Sequence, residues 1–193
     1  MANKYGQITK NILFGVAAVG IIAVAATSPY FLVAVAKEFT KRGKYKSRNG
    51  DVDNAHFTRS LAGLNKNKII IIKKEQGNYI VKLTEKGKKL IKKIQFEDMR
   101  VETMEKWDGK WRIVIFDIPE GNKRRGKILR DAMRFKMQTM GFYQFQKSVW
   151  AHAYPCEKEI QLLCEILKIG QFVNIITAEK IFNDDALRRF FKF

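Results

Sequence analysis

The sequence of 193 residues predicts an α+β fold in two domains, and three observations lead to this prediction. Helical and strand-like periodicities alternate along the chain, which is typical of mixed α and β domains. Acidic side chains outnumber basic ones over residues 95–108, which marks a change of character between the two halves. The basic excess is uneven, because residues 1–106 hold 21 basic and 9 acidic side chains, against 16 and 10 in 107–193. We therefore predict domains at 1–95 and 107–193, joined by a linker or helix end at 96–106.

Composition narrows the class of partner. The formal net charge is +18, and 46% of the residues are hydrophobic, which is the composition of a folded protein and not of a disordered polycation. A charge of this size favours nucleic acid or an anionic membrane surface over an acidic small molecule. Cys156 and Cys164 have no Cys or His neighbour at metal-ligand spacing, so we expect no zinc site. So few cysteines indicate a reducing compartment, and we expect a cytoplasmic location.

Residues 11–36 contain no charged side chain and allow two interpretations. In the first, residues 27–30 break the run into two buried helices, over about 8–26 and 30–41, with Ser28 capping the second. In the second, the whole run is a membrane anchor carrying cytoplasmic domains, since it is long enough to cross a bilayer. Basic residues flank the run on both sides and indicate no orientation. We favour the buried helices.

A basic loop and a short amphipathic helix follow the apolar run. The loop carries five basic residues, which are Lys41, Arg42, Lys44, Lys46 and Arg48. The helix begins at Asp53 or Asn54, both of which are good N-cap residues. Its apolar side chains recur at helical spacing, and they are Phe57, Leu61 and Leu64. Its other face presents polar and basic side chains, which are His56, Arg59, Ser60 and Lys66.

Two β-branched runs predict a β-hairpin after this helix. They span residues 68–73 and 79–83 and are joined through residues 75–78, which include a glycine. Thr84 then caps a lysine-rich helix over 85–94. Three helices, the third of them polar on one side, followed by a hairpin are the order of a winged helix-turn-helix.

The winged helix-turn-helix prediction assigns roles to the basic residues. The third helix would enter the major groove of double-stranded DNA, where His56, Arg59 and Ser60 read base edges. The hairpin and the basic loop would contact phosphates. The remaining residues of this predicted interface are Lys66, Lys73, Lys74 and Lys82. The alternative is that these charges form only a solvated surface.

The second half of the chain reads as β-α-β-β-α-β, which predicts a ferredoxin-like domain with an antiparallel sheet. The predicted strands are 111–118, 142–146, 148–153 and 171–177, and the predicted helices are 122–140 and 156–168. We expect the first helix to bury Ile128, Leu129, Ala132, Met133, Phe135 and Met140. Its other face would carry a basic stripe of Lys123, Lys127, Arg130 and Arg134. In the second helix we expect burial of Ile160, Leu163, Cys164 and Leu167.

Three motifs in this half carry a family resemblance. They are WRIVIFDIPE at 111–120, GFYQFQKSVW at 141–150, and Tyr154-Pro155-Cys156. Together they resemble the central domain of the phenylacetate-catabolism repressor (PaaX) family, over about residues 107–182. That domain is related to the CRISPR-associated adaptation endonuclease, the second Cas protein. The resemblance implies a homodimer, formed through this domain, that presents two winged helices to pseudo-palindromic DNA as a transcriptional repressor without a cofactor.

The same resemblance singles out Asp117. In the CRISPR-associated relatives an aspartate at the end of the first strand can hold a divalent metal, and Asp117 matches that position. This implies an alternative function, a metal-dependent endonuclease on DNA or RNA that uses Mg²⁺ or Mn²⁺, with the basic stripe as its substrate track. The other interpretation of Asp117 is a turn aspartate that came with the fold. A third function, a membrane-tethered nucleic-acid-binding protein, follows from the anchor interpretation of residues 11–36.

Overall fold

The computed structural model describes residues 5–25, 54–119 and 123–193, and the chain divides into two compact units, Met1–Ile94 and Gln95–Phe193. Each unit has its own apolar core. The second predicted helix, over 30–41, and the basic loop lie outside the described residues.

The first unit packs helices against a three-stranded sheet. Its elements are α1 (Gln7–Val19), β1 (Ile21–Ala25), α2 (Asn54–Lys66), β2 (Ile70–Glu75), β3 (Asn78–Leu83) and α3 (Glu85–Asp98), whose last four residues belong to the second unit. The strands are antiparallel in the order β1-β3-β2. The core is formed by one side of each helix and by the inner side of the sheet. Its residues include Ile12, Leu13, Val16, Phe57, Leu61, Leu64, Ile70, Val81, Ile91 and Ile94.

The prediction of one helix over 8–26 is wrong after Val19. Gly20 adopts a positive φ of 75° and donates its N–H to the carbonyl of Val16 at 2.9 Å, which ends α1. The next five residues pair with β3, with Ile22 opposite Val81. An apolar run can satisfy either a helix or a strand, and here the edge of β3 determines which forms. No helix within the described ranges is long and apolar enough to cross a membrane.

The predictions for α2 and the hairpin are confirmed. Helix α2 begins at Asn54, and its three predicted apolar residues are all buried. Gln76 and Gly77 join β2 to β3, and both have positive φ, 47° and 73°. Two successive positive φ values match the right-handed twist of a hairpin, so the turn sets the pairing of Glu75 with Asn78.

A compact junction joins α2, the hairpin and α3. The backbone N–H of Thr84 donates to the carbonyl of Ile69 at 3.1 Å, and its Oγ1 is 3.0 Å from the same oxygen. The N–H of Gly87 donates back to Thr84 Oγ1 at 3.0 Å, which confirms Thr84 as the cap of α3. A Cβ on Gly87 would collide with the carbonyl oxygen of Ile69, so this position requires glycine for space.

The second unit has the predicted β-α-β-β-α-β order. Its elements are β4 (Trp111–Phe116), α4 (Lys123–Thr139), β5 (Tyr143–Gln146), β6 (Val149–His152), α5 (Glu157–Leu167), β7 (Val173–Ala178) and a last helix, α6 (Asp185–Phe191). The antiparallel sheet runs β5-β6-β4-β7. Each of the two β-α-β connections therefore passes over one intervening strand, which is the split arrangement of ferredoxin-like domains. On the other side of the sheet, Leu187 of α6 belongs to a small cluster with Trp111 and Ala151.

Two apolar residues predicted inside α4 are exposed. Ile128 is 58% exposed and Phe135 is 60% exposed. The inward positions belong instead to Met133, Met137 and Lys136, of which Lys136 is only 2% exposed. Its Nζ donates to the carbonyl of Glu97 at 3.3 Å, and burial lowers its pKa. The apolar residues of α4 extend around more than one face, so periodicity alone does not orient this helix. In α5, Leu167 is half-buried, where we predicted full burial.

The junction predicts opposite effects for two glycine substitutions in helices. Gly87→Ala should lower the free energy of unfolding by about 1–3 kcal/mol, because the new methyl group overpacks against a backbone carbonyl. Gly63→Ala in α2 is the matched control. Nothing lies within 4 Å of its Cβ position, so alanine should stabilise the helix by about 0.5–1 kcal/mol. Urea unfolding followed by far-ultraviolet circular dichroism measures both, and equal stabilisation by the two would contradict a tight junction.

Candidate nucleic-acid interface

The outer face of α2 combines basic side chains with small ones. Arg59 and Lys66 are both exposed and lie seven residues apart, which places them on one side of the helix, opposite the core. Small residues occupy the neighbouring outward positions, and they are Ala55, Ala62 and Gly63. A helix face of this kind can approach the floor of a groove closely, because only the two cations project from it.

The other predicted residues of α2 lie on its flank. His56 is exposed and Ser60 is half-buried, and both are rotated from the centre of the outer face toward the core side. The Nε of Arg59 donates to the carbonyl of Ala55 at 3.2 Å, which lays this side chain along the helix toward its N-terminus. The structure therefore makes Arg59, and not His56 or Ser60, the central polar group of this face.

The hairpin divides its three predicted lysines between its two faces. Lys73 lies opposite Ile80, and Lys82 lies opposite Ile71, which puts both lysines on the same, outer face. Lys74 is one residue further, so it belongs to the alternate face, where it lies opposite Tyr79 near the turn. Lys73 and Lys74 are exposed, and Lys82 is half-buried. A wing with cations on both faces near its tip can contact phosphates from either side.

The first unit carries most of the net positive charge of the chain. Residues 5–25 and 54–94 contain twelve lysine and arginine residues but only two acidic ones, Glu75 and Glu85. Residues 95–193 contain eighteen basic and fourteen acidic residues. The surface potential around α2 and the hairpin is therefore strongly positive, as a polyanion-binding surface requires.

Helix α3 contributes cations that the sequence analysis did not assign to the interface. They are Lys86, Lys88, Lys89, Lys92 and Lys93, and all five are exposed. The buried residues of this helix, Gly87, Ile91 and Ile94, occupy its opposite side. Glu85 pairs with Lys88 at 2.6 Å, and two further acidic residues, Glu97 and Asp98, lie at the C-terminal end of the helix. The signal in the sequence is the stretch 86–93, in which five of eight residues are exposed lysines.

The predicted contacts from the loop cannot be placed, because Lys41, Arg42, Lys44, Lys46 and Arg48 lie outside the described residues. Their role stays a prediction.

The predicted basic stripe of α4 is not one continuous row of available cations. Arg130 donates to the carbonyl of Ile118 at 2.9 Å. Arg134 donates to the carbonyl of Lys147 at 3.0 Å and pairs with Asp131 at 3.4 Å. Lys127 is exposed, and the side chain of Lys123 lies outside the part of the chain that the structure describes. Two of the four residues therefore hold α4 to the rest of its unit.

Asp117 follows β4 directly and is exposed, and its N–H donates to the carbonyl of Phe172 at 2.9 Å. In the described part of the chain no three His, Cys, Asp or Glu side chains come together in a way that could hold a metal ion. Mg²⁺ usually takes one or two carboxylates together with substrate phosphates, and Asp117 offers one. The metal site of the endonuclease hypothesis stays a prediction.

A buried polar centre in the second unit is built around Arg112, which is 6% exposed. Its guanidinium forms two hydrogen bonds with Asp108, one of them 2.7 Å long, and donates to the carbonyl of Ala153 at 3.3 Å. The Asp108 hydrogen bonds raise the pKa of Arg112, and those same bonds lower the pKa of Asp108. This ion pair ties the segment before β4 to the end of β6, a structural role.

Burial favours the neutral forms of three other side chains in this unit. Burial lowers the pKa of His152, whose Nδ1 accepts the N–H of Tyr154 at 3.0 Å. Burial raises the pKa of Cys156 to about 12, and it also raises the pKa of Cys164. A thiol must ionise before it acts as a nucleophile, so these two cysteines are core residues.

Comparison with known proteins bears on the second unit. Residues 104–188 match the family model described as the PaaX protein central Cas2-like domain. Over these residues the second unit is similar to the central domain of PaaX proteins. The match confirms the resemblance that the three sequence motifs indicated, and it is consistent with a PaaX-type family. No curated protein matches the chain.

The two buried cysteines of the second unit are predicted to react slowly with thiol reagents. At pH 8 the native protein should react with 5,5′-dithiobis(2-nitrobenzoate) far more slowly than the same protein in guanidinium chloride, because both thiols are buried and have raised pKa values. Absorbance at 412 nm measures the release of thionitrobenzoate. Rapid stoichiometric reaction of either thiol in the native state would show that it is accessible and ionised.

Proposed function

We propose that this protein is a sequence-specific, double-stranded-DNA-binding transcription regulator, a dimeric repressor of PaaX type. In this proposal residues 1–95 form a winged helix-turn-helix, with α2 as recognition helix and the β2–β3 hairpin as wing. The observation that carries the proposal is the outer face of α2, where Arg59 and Lys66 project from a surface of small residues. Such a face suits the major groove, which admits one helix and displays acceptors that arginine reads.

The surroundings of α2 support the same function. The exposed hairpin lysines, Lys73 and Lys74, are suited to phosphate contacts, which orient a protein on the duplex without reading sequence. The excess of ten positive charges over the described part of the first unit favours attraction to any duplex. Sequence preference must then come from the groove-facing residues, Arg59 first and His56 and Ser60 on the flank.

The homodimer is proposed to form through the second unit. The side of its sheet away from the main helices carries aliphatic residues that are incompletely covered, with Ile176 49% exposed and its neighbour Ile113 half-buried. A second copy of the same sheet would bury this surface about a two-fold axis, and a two-fold dimer matches pseudo-palindromic operators.

The first test is a gel shift on a pool of labelled duplexes, at about 50–200 mM salt and with Mg²⁺ and Mn²⁺ present. Wild-type protein should shift intact duplex with steep salt dependence. Arg59→Ala should change which sequences are enriched, because it removes a base contact. Lys73→Gln/Lys74→Gln should weaken binding to all duplexes alike and reduce the slope of log K against log salt by about 2, since each phosphate contact contributes about 0.9.

Two controls accompany this experiment. Lys158→Gln/Lys180→Gln removes the same charge from two exposed lysines of the second unit and should leave the slope nearly unchanged. Asp117→Ala should bind like wild type. If wild type shifts no duplex, the proposed function fails, and if Arg59→Ala keeps the preference, α2 is not the recognition helix. Label shortened by wild type but not by Asp117→Ala would establish the endonuclease instead.

The α3 lysines predict an effect on the rate of association. Lys89→Gln/Lys92→Gln should slow association with duplex DNA several-fold at about 50 mM salt and have little effect at about 300 mM, because salt screens long-range attraction. The dissociation rate should change little. Stopped-flow fluorescence anisotropy measures both rates, with Lys158→Gln/Lys180→Gln as the charge-matched control. If only the dissociation rate changed, the α3 lysines would contact the bound DNA directly instead of attracting it from a distance.

A further inference from the structure

Helix α4 exposes two large apolar side chains at the centre of its outer face. Ile128 is 58% exposed and Phe135 is 60% exposed, and they lie on the side of the helix opposite the buried Met133. Seven residues separate them, which is about 10 Å along the helix axis. Half-buried Ala132 lies between them, so the three positions form a short stripe at the i, i+4, i+7 spacing.

This stripe has the spacing with which helices contact other helices. Single exposed apolar residues are ordinary, but neighbouring ones on one helix face form a patch that marks an interaction surface. Amphipathic helices that dock on a protein present anchors at the same i, i+3, i+4 and i+7 spacing. Ile128 and Phe135 would therefore be the two contact points for a docked helix.

The border of the stripe is basic. Helix α4 contains seven lysine and arginine residues and one acidic residue, Asp131, which is already paired with Arg134. Arg124 and Lys127 are exposed beside Ile128, and within the ranges that the structure describes neither has a carboxylate at ion-pairing distance. A partner that covers the stripe must therefore place carboxylates next to these two cations.

We propose that the outer face of α4 binds an acidic amphipathic helix of a partner protein. We define the α4 surface as Arg124, Lys127, Ile128, Ala132 and Phe135. The partner helix would set two apolar side chains against the stripe and aspartate or glutamate side chains against the cations. This proposal does not depend on the proposed DNA binding.

Charge and polarity distinguish this partner from the two other occupants. A second copy of α4 would bring like charges together around the stripe, which opposes association of this face with itself. Nucleic acid would neutralise Arg124 and Lys127 but would leave Ile128 and Phe135 without apolar contact. A helix that is both apolar and acidic satisfies both features of the surface.

The test uses a fluorescein-labelled synthetic peptide of about 18 residues, long enough to form a helix. It carries leucine at i, i+3, i+4 and i+7 and glutamate at the bordering positions. Fluorescence anisotropy with the full chain should show salt-sensitive binding. Ile128→Ser/Phe135→Ser should weaken this binding at least about tenfold, because it removes the apolar contacts. Arg124→Gln/Lys127→Gln should weaken it at low salt, with a smaller difference at high salt.

Matched controls separate the α4 surface from general stickiness. Met104→Ser/Phe182→Ser removes two apolar side chains from other exposed positions of this unit and should bind the peptide like wild type. All variants should keep the wild-type unfolding midpoint within about 3 °C, since the altered residues are at the surface. A second peptide, with lysine in place of glutamate, should not bind.

Four results would overturn the proposal. The first is equal peptide binding by Ile128→Ser/Phe135→Ser and by wild type, and the second is equal binding of the glutamate and lysine peptides. The third is loss of a dimer in analytical ultracentrifugation when Ile128→Ser/Phe135→Ser is made. The fourth is weakened duplex binding by that same variant. The third would assign the surface to a second copy, and the fourth would assign it to nucleic acid. Because the gel shift with Arg59→Ala tests a different unit, failure here is distinguishable from failure of the proposed function.

Discussion

The carbonyl oxygen of Ile69 is the group on which the arrangement of the first unit depends. It accepts the N–H of Thr84 and lies within hydrogen-bonding distance of the Thr84 hydroxyl, so it joins the start of the hairpin to its end. Gly87 leaves space for it by having no side chain. Helix α2 ends three residues before Ile69, and α3 begins directly after Thr84. One backbone oxygen therefore controls how a helix, a hairpin and a second helix are joined, and with them the outward direction of the basic side chains.

The lysines of α3 lie close together on the surface, and repulsion between their like charges costs free energy. Along α3, Lys88 and Lys92 are one helical turn apart, as are Lys89 and Lys93, and each like-charge pair of this kind costs about 0.2–0.5 kcal/mol in an isolated helix. Glu85 pairs with Lys88 in the first turn, and Glu97 and Asp98 lie at the other end of the helix. Neither the core nor the sheet requires lysine at these positions. A polyanionic partner would remove the repulsion, and this is the role that the proposed DNA binding gives to these lysines.

The second unit uses its polar groups differently. The buried Arg112 pairs with Asp108, which reaches the surface, and this ion pair ties the segment before β4 to the strands. The thiol of Cys156 is kept protonated by burial. Its outer surfaces, in contrast, leave apolar groups uncovered, on α4 and on one side of the sheet. In the proposals made above, the first unit supplies attraction to DNA, and the second supplies surfaces for a second copy and for a partner helix.

Local pattern predicted much of this structure. The hairpin turn, the Thr84 cap, helix α2 and the order of strands and helices in the second unit depend on contacts between near neighbours, so the sequence by itself determined them. It also indicated which α2 residues face outward, because Phe57, Leu61 and Leu64 define the opposite side.

Only the tertiary structure decided the rest. The run after Gly20 becomes β1 because β3 has an edge for it to pair with, and a uniform apolar run contains no signal that separates helix from strand. Helix α4 has apolar residues around more than one face, and its rotation follows from packing Met133, Met137 and Lys136 inward. Ile128 and Phe135 are left in solvent by that packing. Side-chain identity sets what a surface can bind, but long-range contacts determine which side chains form the surface.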